Sequence, residues 1–184
     1  MKKGLIIVLA IAAVLLIWVF SGYNGLVKLN ENADAQWAKV ETQYQRRFDL
    51  IPNLVNSVKA VLTQEQTVFG ELAEARANYA GASTPDQKAA AASQVETSLG
   101  RLIAIVESYP QLQSSSNVRD LMTQLEGTEN RVSVERTRFN DEIRSYNTAI
   151  KTFPTNILAL LTGFGERSYF EAASGSENAP QVNF

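Results

Sequence analysis

At 184 residues the chain has room for a membrane segment and one domain, and its 45 % apolar and 20 % charged residues are ordinary globular proportions. A net charge of −2 gives no field that would draw nucleic acid, so no nucleic-acid partner is expected. With no cysteine and no histidine, disulfides, thiol catalysis, a lipid-modified cysteine and the commonest general base and metal ligand are excluded.

Met1-Lys2-Lys3 is basic, and Leu5 to Phe20 is uncharged and almost wholly apolar. A helix from Gly4 to Tyr23 would be about 30 Å long, one hydrocarbon thickness. Trp18 and Tyr23 fall toward its far end, where amphipathic rings settle at the membrane interface. A cleaved signal peptide is the competing reading, but Val19-Phe20-Ser21 lacks the small-x-small pattern. Residues 1–23 are therefore expected to be a transmembrane anchor with the lipid bilayer as partner. The lysines ahead of the span predict a single-pass protein of the cytoplasmic (inner) membrane, N-terminus inside and remainder extracytoplasmic.

From Leu26 to Tyr79 apolar residues recur at helical steps: Leu26, Leu29, Ala33, Trp37, Val40, Tyr44, Ile51, Val55, Val58, Leu62, Phe69, Leu72 and Tyr79. Glu65 is the polar interruption at the seventh-residue spacing, and the phase does not slip at Pro52. This predicts one very long amphipathic helix kinked at Pro52, where proline removes a donor and crowds the preceding turn. The other reading is a tight reversal at Leu50-Ile51-Pro52, whose apolar, glycine-free composition is poor turn chemistry.

Gly81 to Pro85 reads as a turn, and Thr84-x-x-Gln87 as a capping box with Pro85 at the first helical position. A second helix then runs to about Tyr109. Pro110 to Ser116 is expected to be a polar connection, with Asn117 capping a third helix that reaches about Phe153. Val118, Leu125, Val132, Phe139, Tyr146 and Phe153 are spaced by seven along it. A short apolar helix, Asn156 to Leu161, is stopped by Gly163. Phe164, Tyr169 and Phe170 are expected to cap one end of the core, and residues 171–184 to form a flexible polar tail.

The ordered motifs now add up. They are Tyr23-Asn24-x-Leu26-Val27, Trp37, Arg46-Arg47-x-Asp49-Leu50-Ile51-Pro52-Asn53-Leu54-Val55, Tyr109-Pro110, Leu125-Glu126-Gly127-Thr128-Glu129-Asn130-Arg131, Phe139-Asn140, Tyr146-Asn147, Phe153-Pro154-x-Asn156, Gly163-Phe164 and Tyr169-Phe170. Spread from residue 23 to about 170, they resemble the LemA family of bacterial membrane proteins. The resemblance implies an all-α protein: an N-terminal transmembrane helix followed by an antiparallel bundle of long helices, residues 24–170. It brings no agreed enzymatic activity and no catalytic residues.

Arg46, Arg47, Asp49 and Asn53 around Pro52 could satisfy a freed carbonyl or bind an anion, but polar groups near a bend usually exist to be paired. Glu129 and Arg136 stand at stripe positions of the third helix, where polar residues can specify register. A carboxylate metal site is the rival there. The Glu-x-x-His pairs of such bundles are missing, so neither metal nor cofactor is expected. Gly163-Phe164-Gly165 lacks the strands and final glycine of a dinucleotide fingerprint.

The expected function is a non-enzymatic, membrane-anchored helical scaffold that self-assembles or organises other membrane proteins. The alternative is an extracytoplasmic ligand-sensing or binding module; a hydrolase would need an activated nucleophile that nothing marks. Trp37, Val40 and Tyr44 form the face expected to join copies into a homo-oligomer. Second and third helices of about 36 and 54 Å cannot cover about 80 Å of first helix.

Overall fold

The computed structural model describes residues 2–62 and 65–170; the expected polar tail lies outside the described residues. Every regular element among them is a helix: α1 Lys2–Lys59, α2 Gln66–Gly81, α3 Pro85–Ser108, α4 Pro110–Gln113, α5 Ser116–Lys151 and α6 Thr155–Thr162.

The 58-residue α1 has no break between its apolar N-terminal stretch and the amphipathic part that follows, and Pro52 lies inside it. A reversal at Pro52 is thereby excluded. The single helix to Tyr79 is also corrected, because the chain turns between Lys59 and Gln66. Residues 60–62 leave the helix, and Glu65, the polar member of the seven-residue series, sits outside it as well. The phase had concealed the turn. Both arms of a helical hairpin face one core, so a connection of about one heptad leaves the periodicity unbroken.

The described residues divide into two compact units, one formed by the chain up to Ala38 with Thr137–Tyr169, the other by Lys39–Arg136 with Phe170. In the second unit α1 and α2 are antiparallel: the Tyr44 and Phe48 rings meet Tyr79 at the end of α2, while Lys59 lies 5.0 Å from the Phe69 ring at its start. α3 runs back along α2, with Asn78 against Gln94 and Glu71 against Arg101. α5 is antiparallel to α1, joining Asn117 to Ser57 and Arg136 to Tyr44. The order is thus up, down, up, down, the arrangement short connections favour. Tyr44, Leu54, Leu72, Leu99, Leu102, Leu112 and Leu125 fill its core.

The local signals at α3 hold. Thr84 accepts from the Gln87 backbone N–H, and the Gln87 side chain returns to the Thr84 N–H. At α5 the expected cap is corrected. The Ser115 hydroxyl is the acceptor facing the Val118 N–H, and Asn117 instead donates to Ser57 across helices. The expected polar connection also contains a helical turn, α4, because Pro110 starts one and Leu112 buries itself.

In the first unit Leu26, Tyr146, Ile150, Leu158 and Ala159 form a core, flanked by Leu29, Ala149 and Phe164. Gly163, at φ 78°, ends α6 in the left-handed conformation that glycine adopts without penalty. Phe164 packs on Tyr23 and Tyr146, whereas Tyr169 is exposed and caps nothing, a correction to the expectation for that ring.

The proposed assembly face is the largest correction. Trp37, Val40 and Tyr44 are only 7 %, 0 % and 0 % exposed. The Trp37 ring packs at 5.2 Å on Phe139 of α5, and Tyr44 packs among Phe48 and Tyr79. The length count failed because the helix assumed to need covering folds back on itself as α2, while α5 accompanies α1 along both units. These three residues therefore provide no surface for another copy.

Candidate functional site

The densest polar arrangement lies within the second unit, where α1, α3 and α5 each bring a charged or phenolic group inward. Tyr44 and Arg47 are three residues apart on α1 and so share a face; Glu129 and Arg136 are seven apart on α5 and do the same. Glu96 enters from α3, next to the buried Val95 and Leu99.

The Tyr44 hydroxyl donates to Glu96 Oε1 at 3.2 Å. Arg136 Nη2 donates to both the Tyr44 oxygen and Glu96 Oε1. Its guanidinium also lies 4.4 Å from the Phe170 ring centroid and 5.3 Å from that of Tyr44. Arg47 pairs with Glu129, and its Nη1 stands 3.6 Å from Glu96. One oxygen of Glu96 thus faces three donors on two other helices.

Burial disfavours the charge on Arg136, but Tyr44 and Glu96 outweigh that cost and raise its pKa. Burial, reinforced by Glu96, drives the Tyr44 phenol far above its ordinary range; burial does the same to Tyr79, helped by Glu41. A phenol held this firmly in its protonated form is a hydrogen-bond donor and not a base. Two arginines and two glutamates balance, so the cluster has no excess charge to offer a ligand. Arg47 Nε and Nη1 and Arg136 Nε have no aligned acceptor. Arg47 Nη1 meets Glu129 by distance and charge, without the alignment of a hydrogen bond, so the contact is an ion pair.

An open groove of about 830 Å³ adjoins this cluster. Arg47 and Glu129 form its polar end, Val106, Val118, Met122 and Leu125 line its apolar wall, and the exposed Glu107, Arg119 and Glu126 also border it.

The residues expected around Pro52 do not gather. Arg46, Asp49 and Asn53 are exposed, and Asp49 accepts from Gln45 one turn earlier on the same helix. Only Arg47 of that set turns inward, because its neighbours fall on the opposite side of α1. Asn53 offers its backbone oxygen to the Ser57 hydroxyl. Among the described residues no group of three or more acidic side chains is disposed to hold a metal ion.

Three residues of the polar architecture were not singled out in the sequence. Glu96 had a signal, being a charged residue inside an apolar stripe. Asn147 and Arg167 form a separate clamp in the first unit. The Asn147 amide donates to the Arg167 carbonyl at 2.8 Å and accepts from its N–H at 3.0 Å. The Arg167 guanidinium reaches Asn30 Oδ1 at 2.9 Å and Asp34 at 2.7 Å on α1. Arg167 lies in a non-helical segment, where periodicity gives no cue. The Tyr146 hydroxyl donates to the Gly165 carbonyl nearby, and burial raises its pKa.

A family model described as the LemA family matches residues 36–184. The chain is 29 % identical to the magnetosome protein MamQ of Magnetospirillum gryphiswaldense, an alignment covering 87 % of this chain and 70 % of that one. It is 28 % identical to each of MamQ 1 and MamQ 2 of Paramagnetospirillum magneticum, over 81 % of this chain and 64 % of theirs. The chain thus spans less than two thirds of the length of the latter two relatives.

Proposed function

This chain belongs to the LemA family, and from that premise we propose that it is a non-enzymatic scaffold, anchored in the cytoplasmic membrane by residues 1–23 with its N-terminus inside. Its helical body organises other membrane proteins or further copies of itself on the extracytoplasmic side. One observation carries the reading: the apolar stretch from Leu5 to Phe20, none of it packed inside the protein, continues without a joint into the buried stripe of the same helix. A helix long and apolar enough to cross a membrane is thereby continuous with the first unit, whose core it enters at Leu26. The polar cluster fits the same role. Its charges are spent on one another across three helices, an arrangement that sets register and leaves no activated nucleophile.

The groove beside Arg47 favours a second reading, a ligand-binding module, since an apolar wall with a few polar groups at one end is how small-molecule sites are built. The two readings part on mass. Analytical ultracentrifugation of the full chain in mild detergent, paired with chemical cross-linking in native membranes, should show complexes larger than one chain. A monomer at every concentration, with no cross-linked species in the membrane, would overturn the scaffold and leave the groove as the better account.

A further inference from the structure

We propose that α6 and the residues before it form a second membrane contact, an interfacial platform that seats the first unit on the lipid headgroup and acyl boundary where α1 leaves the bilayer. The proposal rests on the reading that residues 5–20 span the membrane.

No charged residue lies between Lys151 and Glu166. Within that stretch α6 has two apolar faces. Leu158 and Ala159 turn inward onto Leu26, Tyr146 and Ile150. Ile157, Leu160 and Leu161 flank the other side of the helix, Leu160 three and Leu161 four residues past Ile157, and Phe153, in the turn before α6, is also exposed. That side is open: Leu160 is 84 % exposed and Leu161 77 %. Leu160 and Leu161 are among the most exposed large apolar residues in the chain, more so than any in the apolar stretch of α1. α5, by contrast, has charged residues over its exposed surface.

Contacts with α1 fix where this face sits. A Cβ built on Gly22 would stand 2.9 Å from Leu158 Cδ2, so α6 lies directly on the α1 backbone there. The Tyr23 and Phe164 rings meet at 5.9 Å. Gly22 is two residues past Phe20, about 3 Å along the helix axis. An amphipathic helix at an interface buries its apolar face about 5–10 Å into the headgroup and acyl boundary. The outward face of α6 is therefore at the level of the lipid surface because of its packing on Gly22, and its apolar surface is continuous in position with that of the span. An exposed patch of this kind marks an interaction site, and the partner already present at that height is the bilayer.

The test uses the full chain in phosphatidylcholine vesicles whose acyl chains are brominated either near the ester or near the chain end. One variant, Trp37→Phe, leaves Trp18 as the single reporter in the span. The other carries Trp18→Phe, Trp37→Phe and Leu161→Trp, the last at a position open enough to accept the ring. Trp18 emission should be quenched in brominated vesicles, which establishes the anchor. The reporter at position 161 should emit to the blue of a water-exposed indole and lose more intensity to bromines near the ester than to those near the chain end. If Trp18 is quenched and position 161 is not, the platform is overturned and the anchor stands. If position 161 emits blue but stays unquenched in a concentration-dependent way, protein covers the face, and the lipid contact is equally overturned. If neither is quenched, the anchor itself fails and the platform with it.

Discussion

The two units hold their helices together with polar groups of opposite kinds. In the first, one amide, Asn147, pairs with both backbone groups of Arg167, and a single guanidinium then reaches α1. In the second, two guanidinium groups, two carboxylates and a phenol close on one another through side chains alone. The amide clamp orders a stretch of chain that has no helix to order it. The charged cluster orders nothing locally; it fixes how far α3 and α5 slide along α1. Neutral partners suffice for the first task, whereas the second involves charges whose desolvation is offset only while every partner is present.

The comparison breaks hardest at Glu96. Glu96→Ala leaves Arg47 and Arg136 without their shared acceptor, so urea unfolding followed by circular dichroism should show a loss of about 3 kcal/mol or more. Replacing the set together, with Arg47→Met, Glu96→Leu, Glu129→Gln and Arg136→Met, should recover most of that loss. A quadruple variant as weak as Glu96→Ala would show that shape, and not charge pairing, governs this region. Asn147→Ala removes both hydrogen bonds to Arg167 and should cost about 2 kcal/mol. It should also raise protease susceptibility around residue 167, a change that Glu96→Ala should not share.

A change of pH acts on both regions, through Tyr146 in the first and through Tyr44 and Tyr79 in the second. The folded pKa of Tyr44 and of Tyr79 lies above the unfolded value, so the folded state holds protons that the unfolded state releases. Their contribution is complete below a pH of about 10 and is lost as pH rises through the folded values. The urea midpoint should fall with increasing pH above that point, and Tyr79→Phe should flatten the fall. An unchanged slope in this variant would remove Tyr79 from the account. The smallest effect is expected at Pro52. Pro52→Ala regains a helical hydrogen bond but frees the unfolded chain, and these offset to within about 1 kcal/mol. Spin labels at the exposed positions 39 and 56 should stay about 26 Å apart with either residue, as one unbroken helix requires.

The helices were legible because period, caps and stops agree. Thr84 and Gln87 announce α3, Gly163 ends α6, and the seven-residue series of α5 holds from Val118 to Tyr146, while Phe153, its expected last member, falls past the end of the helix and is exposed. The turn after Lys59 was not legible: it contains neither glycine nor proline and preserves the phase of the stripe, so pattern alone cannot distinguish a long helix from a hairpin. That one ambiguity propagated to function, making Trp37, Val40 and Tyr44 look uncovered. Of the polar cluster, Arg47, Glu129 and Arg136 could be selected from their positions. Glu96 showed only as a charge inside the α3 stripe; that it is the common partner of the two arginines was not legible, since it is distant in sequence and meets them only once α3 has folded back.

The apolar stretch of α1 is exposed to a similar degree all the way round, from Leu5 to Ile17. A bilayer senses how greasy such a rod is and how long, but nothing about its azimuth. Hydrocarbon alone would let it turn freely about its own axis, like a swivel. The stop on that swivel lies at the end of the stretch, where Trp18 is already partly covered and Leu158 of α6 rests on Gly22. Inserting one residue between Phe20 and Gly22 would swing everything downstream by about 100° without disturbing a single lipid contact in the span. If residues 5–20 span the membrane as proposed, the compass heading of this protein is set beyond them, by the side of α1 on which α6 rests.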